Sequence, residues 1–112
     1  MPGDIKESDW KIFKQVHSAA HERFCERIIS EIDGIRQDKS KRAEERYAAI
    51  NELLRQRNKQ LANAFNDFRR STAFRQLGIM FSYGLLLDEE LSRFSPEMQE
   101  RIRSLYEKRG LA

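Results

Sequence analysis

From Ala43 onward, Tyr47, Ile50, Leu54, Arg57, Leu61, Ala64 and Phe68 recur in a strict a/d alternation for almost four heptads, and only Arg57 interrupts the apolar seam. A pattern of that period folds as a helix that buries one stripe against another helix. The partner stands just before it, where Trp10, Phe13, His17, Ala20, Phe24, Ile28, Ile32 and Ile35 mark one face of a helix opening after Ser8 as cap. Gly34 and the run Gln37-Asp38-Lys39-Ser40 separate the two, with Ser40 placed to cap the second helix. So short a link leaves no chain for a crossover, and the two helices must lie antiparallel.

Downstream, Ser71 or Thr72 is placed to cap a third helix, Asp88 a short turn through Leu91 and Phe94, and Ser95-Pro96-Glu97 a last helix that stops before Gly110. The spacing predicts helices over 8–36, 41–70, 73–87, 88–94 and 96–108. No stretch alternates long enough to read as a strand. The fold expected is all-α: one domain over residues 1–112, a helical bundle built on a long antiparallel helical hairpin plus two or three shorter C-terminal helices. With 112 residues, 39% of them hydrophobic and eleven aromatic, the chain can bury a core without staples. The high charged fraction, 35%, suits long helices laced with surface ion pairs.

One cysteine, Cys25, excludes an intrachain disulfide and makes the cytoplasm the expected setting. Met1-Pro2-Gly3-Asp4 lacks the basic start and apolar run of a signal peptide and reads as a polar lead-in. The most apolar stretch, Leu77 to Leu87, falls well short of the roughly 20 residues a bilayer requires, so no membrane partner is expected.

The runs Asp9-Trp10-Lys11-Ile12-Phe13, Glu22-Arg23-Phe24-Cys25, Glu45-Arg46-Tyr47 and Arg69-Arg70-Ser71 resemble a family of small, uncharacterised bacterial all-α proteins. The resemblance implies a bacterial helical protein. It transfers no activity, ligand or site.

His17, His21 and Cys25 follow one another at four-residue steps, so they climb one side of the first helix with donors that suit zinc. No carboxylate accompanies them at metal-helix spacing, and a structural histidine pair is the preferred reading. No metal or other cofactor is expected. Arg57 needs an answer inside the seam, because an unpaired buried guanidinium is costly. A reversal near residues 37–40 sets it opposite His17, Ala20 and His21, which would form a polar layer able to hold a small anion. The preferred alternative is that Arg57 snorkels, or pairs with a carboxylate such as Glu22, and fixes the register.

Lys and Arg outnumber Asp and Glu eleven to five over residues 36–75. Lys41, Arg55, Lys59 and Arg70 would form a basic face on the second helix, diluted by Glu44 and Glu52. No phosphate-binding loop, nucleophile elbow, paired cysteines or kinase signature occurs, so no enzyme is expected. Two function classes remain: a non-enzymatic helical interaction protein that associates with itself or with another protein partner, and a weak nucleic-acid binder using helix 41–70. The apolar residues of the third helix divide into two faces, Phe74, Leu77, Phe81 and Leu85 against Ile79, Met80, Tyr83, Leu86 and Leu87. The second face is the expected interface of a homodimer, with Gly78 and Gly84 letting the copies approach closely. The competing reading makes this helix the centre of a monomer.

Overall fold

In the computed structural model, which describes residues 5–111, five α-helices and a 3-10 turn follow one another: α1 (Glu7–Gln37), α2 (Ala43–Phe65), the turn (Arg70–Thr72), α3 (Ala73–Ser82), α4 (Asp88–Leu91) and α5 (Pro96–Leu105). There is no strand among the described residues. The lead-in Met1–Asp4 lies outside them.

The hairpin forms as the two stripes require. α1 runs for 31 residues, with Glu7 and Asp9 in its first turn and Arg36 in its last, each opposing the helix dipole. Its cap is Lys6 and not Ser8, since the helix begins two residues earlier and the Trp10 amide bonds the Lys6 carbonyl at 2.9 Å. Gly34 does not stop it. α2 opens at Arg42 in place of Ser40, where the Arg42 amide donates to the Glu45 carboxylate at 2.9 Å.

α2 ends at Phe65, five residues before the seam pattern predicts. Thr72 takes over the backbone there: its hydroxyl donates to the Asp67 carbonyl at 2.5 Å, and Arg69 pairs with the Asp67 carboxylate at 2.7 Å. Phe68, outside the helix, still packs on α1, its ring 4.4 Å from His17 and 5.4 Å from Trp10.

α3 also stops early, at Ser82 instead of residue 87. Gly84 takes φ +74, and its amide bonds the Phe81 carbonyl while that of Leu85 bonds the Met80 carbonyl, the paired closure of a helix C-terminus that glycine permits. Leu87 caps α4, displacing Asp88 to the first helical position. Ser95 caps α5 as expected, its hydroxyl accepting from the Met98 amide at 3.2 Å. The buried Asp9 carboxylate in turn accepts from the Ser95 amide at 2.8 Å and hydroxyl at 2.7 Å, locking the start of α5 onto the start of α1. α5 ends at Leu105, short of Lys108. Tyr106 to Leu111 run back along α3, where the Arg109 and Gly110 amides donate to the Ser82 carbonyl at 2.8 and 2.7 Å.

The core sits at one end of the hairpin. Phe13, Val16, Ala20 and Phe24 of α1 meet Leu77 and Met80 of α3, with Leu85, Leu91, Met98 and Ile102 closing over them. Arg23 ties the closure down, donating to the Leu85 carbonyl at 2.6 Å and holding Glu90 through two bonds of 3.0 and 2.9 Å. Beyond Ile28 no residue of α1 is fully buried, and the first buried apolar residue of α2 is Ala64. The rest of the hairpin projects as a two-helix arm. The molecule measures 54 × 23 × 22 Å, with a radius of gyration of 16.3 Å. A compact chain of this length has about 13 Å. None of the described helices is long and apolar enough to cross a membrane.

Candidate interaction surface

His17 and His21 lie where α1 crosses the end of α2. The His17 ring stacks on Phe68 and meets the edge of Phe65 at 5.2 Å, with Nε2 3.4 Å from the Phe65 carbonyl oxygen. Burial pushes its pKa below the ordinary histidine value, against the raising effect of that carbonyl, and the neighbouring His21 adds to the lowering. His21 meets the Phe65 ring edge-on at 5.1 Å, and Cys25 Sγ stands 3.9 Å from its Nδ1. The imidazoles thus serve as aromatic packing. No three His, Cys, Asp or Glu residues among those described are grouped to hold a metal.

Arg57 is buried, as its seam position demands, and is held some way from the histidines. Its Nε and Nη2 donate to the two oxygens of Glu31 at 3.1 and 2.8 Å, and Nη1 donates to Gln60 at 2.8 Å. The polar layer of His17, His21 and Arg57 is therefore not formed. Phe65, on which both histidines pack, lies eight residues and about 12 Å further along α2. The connection Asp38–Arg42 reverses the chain later than residues 37–40 imply, which slides α2 toward the tip of α1. The carboxylate that answers the guanidinium is that of Glu31 and not of Glu22.

The expected dimer face on α3 is largely consumed within the chain. Met80 and Leu86 are buried in the core, Ile79 and Tyr83 are half-buried, and only Leu87 is exposed. With α3 ending at Ser82, the five residues do not share a helical face. The glycines have other reasons: Gly84 closes the helix, and Gly78 lies under the ring of Tyr106.

The basic face is likewise dispersed. Lys41 precedes α2, Arg55 pairs with Glu52 at 2.6 Å, and Lys59 is exposed. Arg70 leaves the face altogether, because its guanidinium donates twice to the Ile5 carbonyl, at 2.9 and 2.6 Å, and to Glu7 at 2.8 Å.

The hairpin has one covered side and one bare side. α3 and its following loop cover the first: Tyr83 reaches Asn63 of α2, while Arg23 and Arg27 of α1 donate to the carbonyls of Leu85 and Gly84. Cys25, Ile29 and Ile32 lie more than a quarter turn round α1 from those arginines, and the Tyr47, Leu54, Leu61 stripe of α2 flanks them. Ile32, Leu54 and Leu61 are half-buried against the core, and the exposed apolar residues of this side are Ile29 and Tyr47. Ile29 is 61% exposed and Tyr47 69%, and Phe68, 45% exposed, continues the strip toward the core. A shallow groove between Ile29, Ser30, Ile32 and Asp33 runs along it. Ile29 is missed by the stripe Ile28, Ile32, Ile35, although the doublet Ile28-Ile29 signals an apolar face wider than one seam.

Compared with protein-family models, curated proteins and solved structures, the chain finds no match.

Proposed function

We propose that this protein is a non-enzymatic helical interaction protein whose docking surface is the bare side of the hairpin arm. The observation that carries this reading is the exposure of Ile29 and Tyr47, beside half-buried Ile32 and Leu54, on the side of the hairpin that α3–α5 leave open. A contiguous apolar strip rimmed by charge is the form such surfaces take, whereas scattered single exposed residues mean little. The free thiol of Cys25 beside the strip suits a reducing setting such as the cytoplasm. The basic residues support nucleic-acid binding less well, since Arg55 and Arg70 spend their charge on Glu52 and Glu7 within the chain.

A photo-crosslinking residue placed at position 29 or 47, with exposed Leu105 as the control position, tests the reading in the native cell. A discrete protein adduct from 29 and 47 and none from 105 is the expected result. Adducts from neither position, or equally from all three, would overturn it.

A further inference from the structure

A cavity of about 100 Å³ opens between the residues that lead into α1 and the start of α5, with buried Ile5 and Met98 as its apolar wall. Room for about three waters admits only a small molecule. Asp9 lines the cavity and is 3% exposed. Its two carboxylate oxygens accept from the Ser95 amide and hydroxyl, so the donors that answer it are neutral, and no cation pairs with it among the described residues. A buried carboxylate ordinarily meets a cation, and this one keeps acceptor capacity for an ammonium group.

Arg101 lines the same cavity and is the complementary case. Its guanidinium lies over the Phe74 ring, 4.2 Å from the centroid, and bonds no acceptor among the described residues. Stacking on an aromatic face fixes the plane of a guanidinium and leaves its N–H edge for a carboxylate. The other two charged residues of the wall, Lys6 and Glu97, pair with each other at 2.8 Å. With two positive and two negative groups, the wall draws a lone anion or a lone cation toward one charge and repels it from another. We infer that the cavity binds a small zwitterion, an α-amino acid of the size of glycine or alanine, with its ammonium group on Asp9 and its carboxylate on Arg101. A short side chain then faces Ile5 and Met98, and a long one finds no room. Because the cavity joins the entry of α1 to the cap of α5, its occupant adds to the lock that Asp9 and Ser95 form.

Titration of the native chain with L-alanine, followed through the backbone amide resonances of Ser95 and Met98, tests the site. Saturable shifts are expected with a Kd on the order of 1 mM, the range open to a ligand of so few atoms. Arg101→Gln, a change at an exposed residue, should weaken binding about tenfold by removing the charge that holds the carboxylate. Acetate and ethylammonium, each carrying one of the two charges, should bind about tenfold more weakly than alanine, and L-phenylalanine should leave both resonances in place. No saturable shift with alanine, the same affinity in Arg101→Gln, or acetate or phenylalanine binding as tightly as alanine would overturn the proposal.

Discussion

Tyr106 lies so close over Gly78 that a β-carbon there would come within 2.1 Å of the tyrosine ring. The contact brings the residue after α5 onto the middle of α3, with the Phe74 ring 5.9 Å from Tyr106 on the same side. It covers the Phe74 side of α3 from within the chain, away from the Ile79, Met80 and Tyr83 side expected to meet a second copy.

Gly78→Ala should therefore destabilise the fold by about 1–3 kcal/mol, the usual cost of overpacking a filled site. Gly34→Ala should do the opposite, adding about 0.5–1 kcal/mol, because Gly34 lies inside α1 with nothing within 4 Å of the added carbon. Urea midpoints of the two variants check both signs.

The Arg57–Glu31 pair is unequal in burial, its side chains being 7% and 32% exposed. Glu31→Ala should cost on the order of 2 kcal/mol, since it removes the carboxylate from a buried guanidinium that Gln60 still holds. Arg57→Leu should cost less, because it leaves behind a carboxylate that water reaches and fills the seam with an apolar side chain. Chemical denaturation that ranks Arg57→Leu as the more damaging would contradict this account.

His17 carries a pKa lowered by burial, so over the window from 6.5 down to its folded value the unfolded chain binds more protons than the native one. Stability should hold above pH 6.5 and fall as the pH drops through that window. The exposed carboxylates with lowered pKa values, Asp38, Glu52 and Asp67, start from 3.8 to 4.5, so their effects appear only in stronger acid. Denaturation midpoints at pH 7.5 and 5.5 should differ for the native chain, and the difference should shrink in His17→Phe.

The Gln76 side chain is fully buried in α3, and neither its amide nitrogen nor its oxygen has a hydrogen-bond partner among the described residues. Replacing an unsatisfied buried amide by an apolar side chain of similar length removes a desolvation cost. Gln76→Met should raise stability by about 1–2 kcal/mol, and calorimetry should show a higher Tm.

The heptads of residues 43–68 and the stripe of residues 10–35 determine by themselves that the chain is helical and that two long helices fold back on each other. Periodicity is a local property, and burying two facing seams is the one way to satisfy it. Ser95-Pro96 likewise marks the start of α5 with local chemistry alone. Tertiary structure decided the rest, because those features join residues far apart in the chain. That Arg57 is answered by Glu31 depends on where Asp38–Arg42 reverses the chain. That α2 ends before Phe68 depends on the Thr72 hydroxyl taking the Asp67 carbonyl, while the Phe68 ring stacks on His17 from outside the helix. That the face expected on α3 is not bare depends on Met80 packing into the core and on Gly84 ending the helix so that Leu86 turns into the core. Sequence periodicity records which residues seek cover; which of them find it is set by how the later segments pack.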